Sequence, residues 1–245
     1  LTNVWGTRLS VAMLQAAPPL VQHIRVNGVP VLADGSGVAF VDSARALIVA
    51  DLHLEKGSAF AAKGVMLPPY DTRTTLKRLA EAMVRLQPRT IIALGDCFHD
   101  QTADMRMHEE DAAFLTDLVA CVERWIWIAG NHDPAPSPRY GGELAGEMEL
   151  DGLILRHEPR EGASPGEVAG HLHPCARVRR SGRSVRRRAF ASDGSRLILP
   201  AFGAYTGGLN VRDDAFAACF ERPPDVWMLG RERVYRVAGR NVLGD

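Results

Sequence analysis

Three apolar runs in the first half of the chain share one pattern. Residues 46–50 (Ala-Leu-Ile-Val-Ala), 90–94 (Thr-Ile-Ile-Ala-Leu) and 125–129 (Trp-Ile-Trp-Ile-Ala) are continuous rather than alternating, as expected of strands covered on both faces. Each run then breaks into polar residues: Asp51-Leu52-His53, Gly95-Asp96-Cys97-Phe98-His99-Asp100 and Gly130-Asn131-His132-Asp133. Between the runs, apolar positions recur at helical spacing. Leu76, Leu79, Ala80, Met83 and Leu86 predict a helix over residues 72–86, with Asp71 as its N-cap and Pro88 closing it. Phe114, Leu115, Leu118, Val119 and Val122 predict a second helix over residues 108–122. Strands alternating with helices predict an α/β layered domain.

The flanks differ from this centre. Residues 29–32 and 38–41 surround Asp34-Gly35-Ser36-Gly37 and predict a hairpin, and a loop carrying Gly57, Gly64 and Pro68-Pro69 precedes the first helix. Beyond Glu143 helical periodicity does not return; short strands are predicted at 153–156, 167–170, 176–180, 184–190 and 196–199. Residues 202–208 read as a strand and a tight turn bringing glycine backbone close to the site. No linker or low-complexity stretch divides the halves. Residues 25–245 are therefore expected to form one domain with two sheets, and residues 1–24 an N-terminal segment that frays.

Composition narrows the function. Lys+Arg and Asp+Glu balance at 29 each, so no global field recruits a polyanion and nucleic-acid affinity would need local patches. Cys97, Cys121, Cys175 and Cys219 contain no C-x-x-C, which argues against a zinc ribbon or disulfide framework and fits a reducing cytoplasm. No apolar run approaches the roughly 18 residues of a membrane span. Gln15 and Pro18-Pro19 interrupt the one stretch with signal-peptide flavour, so a cytoplasmic protein with no membrane partner is expected.

The chemistry lies at the strand ends. Alternation along an extended chain would put Asp51 and His53 on one side, and likewise His171 and His173 in Gly170-His171-Leu172-His173. His157 follows the strand at 153–156, and Asp96, Asn131 and His132 complete the set. Oxygen and imidazole donors without a thiolate suit divalent manganese, iron or zinc better than a structural zinc centre. The donors outnumber what one ion can use, which suggests two ions.

In order, D-x-H, G-D-x-x-H, G-N-H-D, a lone His and G-H-x-H resemble the calcineurin-like metallophosphoesterase superfamily. The resemblance implies a four-layer α/β/β/α sandwich with two central mixed sheets. It also implies that Asp51, His53 and His173 hold one metal, that Asn131, His157 and His171 hold the other, and that Asp96 bridges them. His132 would be the general acid and Asp133 would orient it or hold the loop. Two divalent ions, Mn2+ first with Zn2+ or Fe2+ as alternatives, would neutralise the phosphate and activate a bridging hydroxide while His132 protonates the leaving oxygen.

Substrate is the open question, since one fold hosts many phosphoesters. His99 gives the second block the G-D-x-F-H form similar to SbcD-type repair nucleases; the competing reading is a histidine bonded to a carboxylate behind the ligands. Seven arginines between residues 177 and 188 form a predicted cationic hairpin beside His171 and His173, with Arg177 and Arg179 as phosphate contacts; a charged edge strand is the competing reading. Lys56 could reach a substrate phosphate. Asp51-Leu52-His53-Leu54-Glu55-Lys56-Gly57, Leu67-Pro68, the Gly170 to Pro174 block and the stretch at 199–209 resemble the PdeM family of ligase-associated DNA-damage-response endonucleases. That resemblance implies a manganese phosphodiesterase acting on DNA beside a DNA ligase, a helicase and a nuclease. The rivals are a small-molecule (nucleotide) phosphoesterase and a non-enzymatic scaffold, and the complete ligand set with His132 argues against the scaffold.

Overall fold

The computed structural model describes residues 21–133, 137–180, 182–231 and 233–245. Its first sheet follows chain order: β1 (Gln22–Val26), β2 (Val29–Ala33), β3 (Ala39–Val41), β4 (Ala46–Ala50), β5 (Thr90–Leu94), β6 (Arg124–Ile128) and β7 (Glu143–Ala145). From β1 to β4 the strands meander antiparallel; β4, β5, β6 and β7 are parallel. The crossovers carry α1 (Lys56–Ala62), α2 (Asp71–Leu86), α3 (Ala103–Arg106) and α4 (Glu109–Ala120).

The second sheet is mixed. It contains β8 (Glu147–Leu150), β9 (Leu153–Arg156), β10 (Glu167–Ala169), β11 (Pro174–Arg180), β12 (Arg183–Ser192), β13 (Leu197–Ile198), β14 (Leu209–Asn210), β15 (Asp225–Leu229) and β16 (Val234–Val237). β9, β10 and β13 run parallel, while β11, β12 and β15 pair antiparallel.

Two cores explain the continuous apolar runs. Leu47, Val49, Ile91, Ala93, Trp125 and Trp127 face α2 and α4, meeting Leu76, Leu79, Met83, Leu115 and Leu118. The alternate residues Ile48, Ala50, Ile92, Leu94, Ile126 and Ile128 face the second sheet and meet Leu153, Leu155, Val168, Phe190 and Leu199. Each fully buried Leu, Ile or Val side chain adds about 1.5–3 kcal/mol of transfer free energy, so one strand face holds the helices and the other holds the second sheet. On the far side of the second sheet, Ala189, Ile198, Val226 and Met228 are covered by Phe216 of α5 (Asp214–Ala217), Phe220 and Val242. The fourth layer is thus short and mostly irregular, and the molecule is the expected sandwich of two mixed sheets.

Several local expectations change. Asp71 is not the N-cap of α2; Tyr70 is, and the Asp71 carboxylate instead accepts the Gly57 N–H at 2.9 Å, clamping α1 onto α2. The loop expected after His53 contains α1. Residues 22–24 belong to β1 rather than to a frayed segment, while residues 1–20 lie outside the described residues. Residues 202–208 are an irregular loop and not a strand: Arg188 donates to the carbonyls of Ala201, Gly203 and Thr206, occupying acceptors that a sheet partner would need.

Candidate metal centre

The site is built where strands of both sheets end, and the backbone there is unusual. Asp51, His53, Asp96, His171 and His173 have φ of 55°, 42°, 46°, 66° and 48°. Non-glycine residues rarely enter this left-handed region, at a cost of order 1–3 kcal/mol each, and they cluster at functional sites. Asp51 and His53 do face the same site, but by left-handed turns and not by pleat alternation, which corrects the pleat-based expectation for both D-x-H and H-x-H. Glycine makes the close packing feasible. A Cβ on Gly130 would lie 2.1 Å from the Asp96 nitrogen, and one on Gly170 would lie 2.7 Å from the Asp51 carboxylate.

Two groups of donors result. Asp51, His53 and His173 bring ligand atoms within 4.8 Å of one another, and so do Asp96, His157 and His171. In the first, His173 Nε2 is 3.2 Å from Asp51 Oδ1 and 3.4 Å from His53 Nε2. In the second, His157 Nε2 is 3.4 Å from Asp96 Oδ1 and 3.3 Å from His171 Nδ1. Asp96 joins them, its Oδ2 lying 3.9 Å from His53 Nε2. Imidazole nitrogens and carboxylate oxygens crowded on two shared points, with no thiolate, form donor sets that fit two divalent ions. Asn131 is exposed; it shares with His157 and Glu158 the wall of a cleft of about 390 Å³ beside the second group.

The charges of this centre are mutually dependent. Burial, then the charge of His173, pushes His53 down to about 3. Burial opposes protonation of His157, but the carboxylates of Asp96 and Asp51 prevail and raise it to about 9. Asp96 stays well below the usual carboxylate range: burial works against this, and the His157 hydrogen bond outweighs it. The Nδ1–H of His157 donates to the Leu94 carbonyl at 2.9 Å, which leaves Nε2 to face the donors.

His132 stands apart from both groups. Its side chain is 49% exposed, its Nε2 is 3.9 Å from Asp96 Oδ2, and its N–H donates to Asp96 Oδ1 at 2.9 Å. The ring stacks on His99 at 5.6 Å with 15° between planes. His99 is therefore a wall of the site; burial and then Lys56 lower its pKa, and its Nδ1 has no partner among the described residues. Asp133 makes no bond to His132. Its Oδ2 accepts from the N–H groups of Cys97 and Phe98 at 2.9 and 3.0 Å, so of its two expected tasks the structure places it at holding the loop. Burial raises the Asp133 carboxyl to about 7.

Lys56 opens α1 half-buried, close enough to His53 and His99 for its charge to act on both. Arg177 and Arg179 are not gathered in. They lie along β11 after His173, and Arg177 bonds Ser184 Oγ at 2.7 Å while Arg179 is exposed. Strand rise of about 3.3 Å per residue carries them progressively away from the centre. Unforeseen from sequence are the groups that hold the ligand loops. The buried Glu55 accepts from Thr72 Oγ1 at 2.8 Å, and Arg188 pins Gly203, whose N–H donates to the Asp51 carbonyl at 3.0 Å. No local motif marks such contacts, because their partners are far away in sequence.

Residues 44–194 match the family described as calcineurin-like phosphoesterase. A curated relative, the 3',5'-cyclic adenosine monophosphate phosphodiesterase CpdA of Pseudomonas aeruginosa, is 30% identical over 158 residues, covering 62% of this chain and 53% of the relative. The chain thus spans about half the length of that relative. Among solved structures, the Pseudomonas putida nuclease MPE superposes with a TM-score of 0.67 at 26% identity, covering 89% of this chain and 100% of that one. The nuclease is in keeping with the resemblance to an endonuclease family. With the family match spanning most of the chain and two donor groups meeting at Asp96, the protein belongs to the calcineurin-like phosphoesterases.

Proposed function

We propose that the protein is a dinuclear phosphodiesterase with endonuclease activity on DNA, working in repair in the cytoplasm. The observation that carries this reading is the pairing of Asp51/His53/His173 with Asp96/His157/His171 beneath an exposed His132. Two divalent ions, manganese by preference, would neutralise phosphate charge there and acidify a water. Asn131 joins the second group as a ligand, and Asp96 serves both. His132 faces the open side, where it protonates the departing oxygen, while its stack on His99 fixes the ring. Lys56 contacts a phosphate oxygen. The nuclease MPE, similar along its whole length, supports the nucleic-acid substrate. Four free cysteines suit a reducing compartment, and the partners expected are a DNA ligase, a helicase and a nuclease.

The relative CpdA favours a second reading, a phosphodiesterase of cyclic or other small nucleotides. One panel separates the two: manganese-loaded protein given single-stranded DNA, duplex DNA, cyclic AMP and a chromogenic diester. DNA nicking is expected; turnover of the small diesters with every DNA left intact would sink the nuclease reading.

A further inference from the structure

A second cavity, of about 420 Å³, lies across the 202–208 loop from the metal centre, lined by Arg78, Arg186, Arg188, Ser36, Thr206 and Gly207 among others. The loop is a thin partition. Gly203 leans on the Asp51–Leu52 backbone, and a Cβ on Gly208 would lie 2.3 Å from the His173 carbonyl oxygen. The pairings Cys175↔Arg188, Arg177↔Arg186 and Arg179↔Ser184 put Arg177, Arg179, Arg186 and Arg188 on one face of the β11–β12 hairpin.

Arg78 and Arg188 bring positive charge to the cavity with no carboxylate bonded to them among the described residues, whereas Arg186 is paired with Asp245. Arg78 donates to the carbonyls of Phe202 and Ser36 at 3.1 and 2.9 Å, and among the described residues Arg188 donates only to carbonyls. Burial, then the neighbouring charge of Arg188, lowers the pKa of Arg78, and burial does the same to Arg188. No carboxylate is among the described residues lining the cavity. Asp245 reaches Arg186 at 3.1 Å from outside, and Glu81 acts on Arg78 through space. The half-buried guanidinium groups of Arg78 and Arg188 lie near each other with carbonyl partners and no bonded counter-ion among the described residues, and a phosphate is an anion that guanidinium groups accept. Lys56, whose pKa falls through burial and then Arg188, links this charge to the metal side.

We propose that the Arg78/Arg186/Arg188 cavity is a subsite for a backbone phosphate of the DNA strand, next to the phosphate being cut. The inference rests on the nuclease reading above and names where the strand continues beyond the metals. It replaces Arg177 and Arg179 as the principal contacts.

Gly207 allows a test without touching any of these arginines. Gly207 lines the cavity, and a Cβ there meets nothing within 4 Å, so a side chain is accommodated at the cavity wall. Gly207→Glu, Gly207→Ala and Gly207→Lys would be compared in the manganese-loaded full chain on a single-stranded oligonucleotide and on a chromogenic diester. Gly207→Glu is expected to raise KM for the oligonucleotide about five- to tenfold and Gly207→Lys to lower it, both effects fading with salt. Gly207→Ala serves as the uncharged reference for the other two, and the chromogenic diester should show no charge ordering. If wild type cuts DNA but the three variants share one KM, the subsite is wrong and the nuclease reading stands. If wild type cuts only the small diester, both fall. Equal loss on both substrates in Gly207→Glu would also overturn the subsite, since the loop would then act through the metal centre.

Discussion

The metal centre and the arginine hairpin both begin at His173, yet they are opposite kinds of construction. Asp51, Asp96 and His157 are buried to 0%, 2% and 3% exposure, and the loops carrying the ligands are held in left-handed backbone by bonds from distant segments. Arg179 and Arg183 are exposed near the turn of the β11–β12 hairpin. A buried charged group must find every partner within the fold, so its position is over-determined; an exposed one is solvated wherever it points. Single substitutions should therefore be severe in the first region and graded in the second.

The largest effect is expected for Asp96→Asn. Losing the carboxylate between the two groups should cost at least one bound ion and on the order of 10²-fold or more in hydrolysis. Metal content by mass spectrometry checks it, and two ions retained would break the bridging assignment. Next comes His132→Ala. Both ions should remain, with hydrolysis of DNA, whose leaving alkoxide needs a proton, falling on the order of 10²-fold or more. A chromogenic ester with a good leaving group should suffer far less; equal losses would remove the general-acid role.

The third effect uses pH to probe the same buried charges. His157 sits at about 9 when folded against 6.5 as the ordinary value, so the metal-free fold binds its proton more tightly than the unfolded chain does. That contribution to stability is complete below 6.5 and is lost as pH rises to 9. The ions need the deprotonated imidazole, so affinity should rise over the same window, by up to about tenfold per pH unit from this group. Chelated protein should thus unfold more easily at pH 9 than at 6.5, while manganese titration shows tighter binding. A flat pair of profiles would mean that His157 carries no proton there.

The smallest effect is expected in the hairpin. Arg179→Ala should leave stability and chromogenic turnover unchanged within about twofold, and lower the salt slope of DNA binding by no more than about one. A DNA loss above tenfold would show the exposed face to be constrained as tightly as the buried centre.

Much of this was written locally. The runs at 46–50, 90–94 and 125–129 determined three parallel strands, because residues buried on both faces cannot alternate with polar ones. The spacing of Leu76, Leu79 and Met83 determined α2, and the order of the polar blocks marked the donors that come together. Other elements were silent. β15 and β16 carry no clear alternation, and α1 is short and begins after a left-handed Glu55. Only tertiary structure decided the rest. It turned Asp51 and His53 inward through left-handed backbone, aimed Asp133 at Cys97 and Phe98 and away from His132, and set Arg188 against Arg78 across a cavity. The physical reason is common to all three. Sequence determines which groups a strand end can offer, whereas direction and charge balance depend on partners that folding brings from 35 to 120 residues away.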